Sequence, residues 1–361
     1  MHNYFPNLNA LRFFAATMVV VFHIELNKEF YNLPNLFYLP FFKIVGKLSV
    51  VLFFVLSGFL ISSLLLKEKD RHHKINFKHF YLRRVFRIWP LYFIILFLGF
   101  FILPHISYWE IPSTVFRPIE ENFWEKLMMY IFILPNLAVA LYGEIAGASQ
   151  SWSLGTEEQF YLFWPLVISL FRKKLLWSMV GVILFYWAGS LFLGKLASIY
   201  PTFIGISKFW TLFNINCMAM GGIFAVFYHD NYKAILKFLF HPGVFIGTII
   251  ILFASLSRGM NFGFFHYDVY SLLFSVIIIN LACNPRYSKS LEYRPINYLG
   301  SISYGIYMYH PVILAPALSV GKHFESNILI YMITLGFTFL ISALSYEYFE
   351  KFFLKMKNKF A

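Results

Sequence analysis

"LRFFAATMVVVFH", Leu11 to His23, decides how this chain is read. Arg12 and His23 bound ten residues without a charge. So apolar a run belongs in lipid or in a dry core. On an α-helix, eleven residues make about three turns, which puts Arg12 and His23 on one face, offset by about 20° and about 16 Å apart along the axis. Ionisable groups inside a span are costly enough that each is a candidate functional group. The plainer reading has Arg12 snorkelling to the interface and His23 closing the end of the span.

The rest of the chain supports a membrane setting. Of its 361 residues, 59% are hydrophobic, 22% aromatic and only 13% charged, with mean hydropathy +0.65. A soluble protein carries roughly 25% charged residues. The expected fold is an all-α polytopic membrane protein. Apolar runs fall at 8–26, 45–66, 88–104, 127–143, 157–171, 175–194, 209–228, 238–257, 268–283, 301–320 and 328–349. The run 127–143 holds Pro135 and Asn136 midway, which suits a re-entrant or broken segment lining a cavity. Taking it as entering and leaving on one side gives ten crossings and two cytoplasmic termini. The cytoplasmic loops then hold 20 basic residues and the outer loops nine, Arg117 among them. That asymmetry follows the positive-inside tendency and accounts for the net charge of +13 without a nucleic-acid partner. Cys217 and Cys283 lie in apolar runs, so no disulfide or metal framework is expected. No cleaved signal peptide is expected either, and residues 1–361 read as one membrane domain without an appended soluble one.

Four further stretches carry polar groups that lipid should exclude. In "FYLRRVFRIWPLY", Phe80 to Tyr92, Arg84 and Arg87 share a helix face and suit phosphates bidentately. The alternative is an ordinary basic anchor. In "QSWSLGTEEQFYLFWP", Gln150 to Pro165, Thr156 is placed as an N-cap and Glu157 and Glu158 fall in the first turn, where the helix dipole favours carboxylates. Beside Trp152, Ser153 and Tyr161, the second carboxylate also suits a hydroxyl-rich ligand. In "LGSISYGIYMYHPV", Leu299 to Val312, Ser303, Tyr307 and His310 fall on one face with Tyr304 close by; they read as a ligand-binding stripe or as bonds between helices. In "FFVLSGFLISSLLLKE", Phe53 to Glu68, the small residues Ser57, Gly58, Ser62 and Ser63 read as close helix packing.

Taken in order, these motifs resemble the acyltransferase-3 family of integral membrane O-acyltransferases. The resemblance runs from Asn9 to Phe353. It implies transfer of an acyl group, usually acetyl, from cytoplasmic acetyl-CoA to a hydroxyl of a cell-envelope glycan or glycolipid. It implies a multi-pass protein of a bacterial inner membrane. Arg12 and His23 correspond to the family's Arg–His pair, Arg84 and Arg87 to its Arg-x-x-Arg element, and Ser153 with Glu157 to its Ser-Leu-Gly-Thr-Glu. The usual Glu-Lys-Pro-Phe near the C-terminus reads Glu350-Lys351-Phe352-Phe353. The missing proline leaves the end of the last helix open.

From this follow the expected roles. His23 is the general base, since imidazole takes and returns protons near neutral pH. Glu157 orients His23 or holds sugar hydroxyls, with Glu25 a weaker choice. Arg12, Arg84 and Arg87 hold the donor's phosphates. Trp152, Ser153, Glu158, Tyr161, Ser303, Tyr304, Tyr307 and His310 hold the acceptor. No metal is expected, and protein partners are not legible. The rival reading is a transporter or flippase for a lipid-linked sugar, which should show paired broken helices in inverted repeats.

Overall fold

A computed structural model describes residues 5–106 and 119–360, without the side chain of Asn358; Arg117 lies outside this range. The described residues are helical, with no strand. In chain order the helices are α1 Leu8–Phe30, α2 Pro40–His72, α3 Phe77–Phe97, α4 Phe123–Ile131, α5 Pro135–Tyr142, α6 Trp152–Phe171, α7 Leu175–Ile199, α8 Ile204–Leu212, α9 Ile215–His229, α10 Lys233–Leu239, α11 Pro242–Ser257, α12 His266–Cys283, α13 Arg294–Ser301, α14 Ser303–His323, α15 Asn327–Ser345 and α16 Lys351–Lys357. Seven helical runs among the described residues are long and apolar enough to cross a membrane, or eight if the bent pair α10–α11 is one span. One of the seven, 149–199, contains the charged turn Arg172–Lys174, and α14 with its two prolines is not among them.

Helix α2 is the buried axis of the bundle. It crosses α9 at backbone contact: a Cβ on Gly58 would sit 1.9 Å from the Met218 carbonyl oxygen, and one on Gly221 2.1 Å from that of Val55. Close packing through small residues is therefore what Gly58 does. Ser62 accepts the indole hydrogen of Trp164 at 2.7 Å, tying α6 to the same axis.

The run 127–143 is broken as its Pro135 suggests. α4 ends at Ile131 and α5 begins at Pro135, whose missing N–H is no loss at a first turn. Ile133 between them takes φ 59°, a strained value for a β-branched residue. Asn136 holds the break in place by exchanging two amide hydrogen bonds with Gln159 of α6, at 3.0 and 2.9 Å. A second bend, of 56°, separates α10 from α11.

Helix α6 starts four residues before the expected cap. It begins at Trp152, after the 3-10 turn Ser149–Ser151, so Thr156 lies within it. The Thr156 hydroxyl donates instead to the Leu212 carbonyl at 3.0 Å. Glu157 and Glu158 are thus in the second turn, where the helix dipole alone does not account for them.

The basic loops gather at one end of the bundle. Lys67 lies over the Phe5 ring, 4.5 Å from its centroid. Asn7 donates to the carbonyls of Leu281 and Tyr287, both at 2.8 Å. Arg172 bonds Asp230 at 2.7 Å and Asp70 at 3.2 Å, and Asp70 also meets His229 at 2.7 Å. Without the proline, the C-terminal chain continues as α16 beside α3, where Arg83 donates to the Phe360 carbonyl at 2.7 Å.

Candidate active site

Two cavities lie along the stripe that Arg12 and His23 define, and they meet at one side chain, Tyr307. The inner cavity, about 820 Å³, opens near the basic end and contains Arg12, Arg84 and Arg87. The outer cavity, about 1270 Å³, contains His23, Asn27, Lys47, Glu144, Gln150 and Trp152. Helical arithmetic on α1 placed the arginine and the histidine on one face at different depths; the fold assigns each depth its own chamber.

The inner chamber is rich in cation. Among the described residues, none of Arg12, Arg84 and Arg87 has a carboxylate within 4.0 Å. Arg12 donates to Asn9 Oδ1 at 3.4 Å. The Arg84 guanidinium sits between the rings of Phe80 and Tyr161, 5.5 Å from each centroid, and its buried Nε has no hydrogen-bond partner. A planar guanidinium stacks in this way and a lysine would not. Three cations without paired anions, Arg12 and Arg84 partly buried and Arg87 exposed at the opening, make a binding site for a multivalent anion.

Glu157 faces the same chamber, whereas Glu158 lines neither. Glu157 Oε2 accepts from Tyr161 at 2.6 Å and from Ser57 at 3.1 Å, and lies on the arginine side of the bundle. It makes no hydrogen bond to His23. Glu158 accepts from the Trp89 indole at 3.3 Å through Oε2, while its buried Oε1 has no partner. Ser57, read from sequence as a packing residue beside Gly58, is part of this polar cluster. Ser153, Ser303 and Tyr304 also line the inner chamber, and the Tyr304 hydroxyl donates to the Ile88 carbonyl at 2.9 Å.

Tyr307 separates the chambers. Its hydroxyl lies 2.7 Å from Ser153 Oγ and donates to the Gln150 carbonyl at 2.9 Å. Gln150 in turn donates to the carbonyls of Met308 at 2.8 Å and Gly147 at 2.9 Å, which locks the start of α6 to α14. The ring of Phe53 stands edge-on to Tyr307 at 6.0 Å.

In the outer chamber His23 meets an unexpected neighbour. His310, fully buried, places Nε2 3.1 Å from His23 Nδ1. His310 is therefore not a lining residue of either cavity but a buried support behind one. Glu25 is occupied elsewhere: it takes a hydrogen bond from Lys28 at 2.7 Å, one from the Tyr331 hydroxyl at 2.6 Å and one from the Leu36 backbone. Trp152 lines the outer chamber with its ring edge-on to Phe54 at 6.2 Å. Beyond α5, at the mouth, burial pushes the Glu144 carboxyl above the ordinary carboxylate range, with Lys47 opposing. Neither chamber is lined by α10 or α11, the second bent pair. Among the described residues no group of three or more His, Cys, Asp or Glu side chains could hold a metal ion.

Comparison with known proteins agrees with the motif order. The sequence model of the acyltransferase-3 family, described as an acyltransferase domain, matches residues 5–347. YrhL of Bacillus subtilis (strain 168), provisionally named a peptidoglycan O-acetyltransferase, is 27% identical over 386 aligned residues, covering 97% of this chain and 55% of the relative. The peptidoglycan O-acetyltransferase OatA of Listeria monocytogenes (serovar 1/2a, strain ATCC BAA-679 / EGD-e) is 25% identical, covering 96% and 55%. The O-acetyltransferase OatA of Staphylococcus aureus (strain NCTC 8325 / PS 47) is 27% identical, covering 96% and 57%. The chain thus spans somewhat more than half the length of these relatives. No solved structure matches.

Proposed function

Starting from the fact that this chain belongs to the acyltransferase-3 family, we propose that it is a membrane O-acyltransferase, moving an acetyl group from acetyl-CoA to a hydroxyl of a cell-envelope glycan. The names of its relatives support acetyl and a glycan acceptor. The observation that carries the reading is the pair of chambers meeting at Tyr307, cationic on one side and histidine-bearing on the other.

In this reading Arg12, Arg84 and Arg87 bind the phosphates of the donor at the basic end, and its thioester arm passes Tyr307 towards His23. His23 takes the proton of the acceptor hydroxyl in the outer chamber. Glu157, held by Tyr161 and Ser57, shapes the donor chamber rather than orienting the histidine. Ser303 and Tyr304 serve the same chamber; Trp152 offers an aromatic face to the acceptor. The gathering of basic loops and the N-terminus at one end supports cytoplasmic termini, ten crossings, re-entry of 127–143 and a bacterial inner membrane.

The test is transfer from acetyl-CoA to a glycan fragment by the full chain in lipid nanodiscs. Transfer that His23→Ala abolishes is expected. An active His23→Ala variant overturns the base assignment. Binding and movement of a lipid-linked sugar without acetyl transfer would favour the transporter reading instead.

A further inference from the structure

The dipeptide His310–Pro311 carries information that the donor and acceptor assignments leave unused. Within α14, the carbonyl of Tyr307 would ordinarily receive the N–H of residue 311. Pro311 has none. His310 Nδ1 fills the gap, 2.7 Å from the Tyr307 oxygen. A carbonyl only accepts, so Nδ1 carries the hydrogen, and neutral His310 presents Nε2 as an acceptor.

That acceptor faces His23 Nδ1 at 3.1 Å, and His23 Nδ1 also lies 3.0 Å from the Val19 carbonyl. Two acceptors converge on one nitrogen, so it too carries its hydrogen. The lone pair of neutral His23 is therefore on Nε2, which has no hydrogen-bond partner among the described residues. The opposite tautomers would set a lone pair against the Tyr307 oxygen at 2.7 Å and another against the Val19 oxygen at 3.0 Å. Buried lone pairs so opposed are strongly unfavourable. Both tautomers follow from partners that cannot change their own role.

We propose that His310 is a positioning residue for His23, holding its basic Nε2 towards the outer chamber and accepting the Nδ1 hydrogen of the imidazolium formed during transfer. This rests on the reading of His23 as base. The acceptor's O–H proton passes to His23 Nε2 as its oxygen attacks the thioester carbonyl. The new C–O bond forms, the C–S bond breaks, and the thiolate leaves with coenzyme A. His23 Nε2 then returns the proton to the sulfur, so the histidine ends as it began. Throughout, His310 stays neutral. A carboxylate in its place would orient the base equally well, but it would put an uncompensated charge in a fully buried site inside the membrane, where ions are costly. The support behind His310 is rigid: Tyr307 is fixed by Ser153 at 2.7 Å and by the Gln150 carbonyl at 2.9 Å.

The experiment compares His310→Ala and His310→Gln with the unaltered chain in nanodiscs, alongside His23→Ala. A glutamine amide oxygen can accept the His23 Nδ1 hydrogen; alanine cannot. His310→Ala should lower kcat by about 10- to 100-fold, the worth of one hydrogen bond to a charged group, with the KM for acetyl-CoA unchanged. His310→Gln should recover most of that loss. In parallel, side-chain 15N spectra of histidine-labelled protein without substrate should find His23 protonated at Nδ1 in the unaltered chain and in both His310 variants, because the Val19 carbonyl still accepts there, with the Nδ1 resonance shifted only in His310→Ala, where the second acceptor is gone. Wild-type kcat in His310→Ala overturns the proposal, as does His23 carrying its hydrogen on Nε2. If His310→Ala fails to fold, the glutamine variant and the unaltered chain's spectrum still decide. An active His23→Ala sinks the base assignment itself; an inactive one beside a wild-type His310→Ala sinks only the positioning role.

Discussion

The chamber around Arg84 and the chamber around His23 share the side chain of Tyr307, yet their polar groups are left incomplete in opposite ways. In the inner chamber the carboxylate of Glu157 is well satisfied by Tyr161 and Ser57, while the guanidinium of Arg84 lacks a partner at Nε and has no ion pair. In the outer chamber the inward nitrogen of His23 is satisfied twice and its other nitrogen is open. A buried cation without an anion is a binding device. An imidazole with one fixed and one open nitrogen is a proton-transfer device. Damage to the first should therefore appear in the donor KM, and damage to the second in kcat.

The largest effect expected is from His23→Ala. Removing a general base typically costs about 10²- to 10⁴-fold in rate. The loss should fall on kcat in steady-state transfer, with donor binding by calorimetry unchanged. Weakened donor binding in this variant would join the two chambers into one site. Next comes Arg84→Ala, which removes charge-assisted bonds to the donor; its KM should rise roughly 10- to 100-fold while kcat at saturation holds. Arg84→Lys should restore little of this, because the ammonium cannot stack between Phe80 and Tyr161. Full rescue by lysine would reduce the site to a simple point charge.

Smaller again, and on stability rather than kinetics, is Asn136→Ala. It strands the Gln159 amide, which exchanges two hydrogen bonds with Asn136. An orphaned buried amide costs about 1–3 kcal/mol, and Gln159, being partly buried, should fall at the low end of that range. The thermal midpoint in detergent should fall accordingly, with both kinetic constants of the surviving protein unmoved. A selective change in either constant would mean that the broken segment α4–α5 enters a chamber more directly than its contacts indicate.

These contrasts also mark how far residue order alone could reach. Periodicity was enough to put Arg12 and His23 on one stripe, because a single helix carries both. It was enough to find the break at Pro135, because proline acts locally. Thr156 misled because capping is decided by where the preceding chain turns, and Ser149–Ser151 already turn it. Ser57 was misread, and His310 left between two readings, for a different reason. Their partners lie 100 and 287 residues away, at Glu157 and His23, and such pairings arise only when helices pack. Glu157 was read as orienting His23 or holding sugar hydroxyls; α6 delivers it to the arginine side. Helix-local chemistry was legible, while chemistry between helices was not.

The smallest effect tests whether the inner chamber is a site at all, or only part of a positively charged end. Arg172 lies at that same end, lines neither chamber, and bonds Asp230 at 2.7 Å and Asp70 at 3.2 Å. Arg172→Ala removes the same unit of charge as Arg84→Ala. Its side chain is 26% exposed and that of Asp70 is 48% exposed, so water can solvate what the substitution leaves behind. Such partly exposed pairs contribute about 1 kcal/mol or less. The thermal midpoint should drop slightly and the donor KM should stay within about twofold, because screening by salt flattens the field of a distant surface charge. Measuring both variants at low and high salt separates the two accounts. If Arg172→Ala raises the donor KM as much as Arg84→Ala, and high salt erases both effects, the whole basic end draws the donor and the stacked guanidinium has no special part. If only Arg84→Ala moves the KM, and does so at either salt, binding belongs to the chamber that Arg12 shares with Arg84 and Arg87.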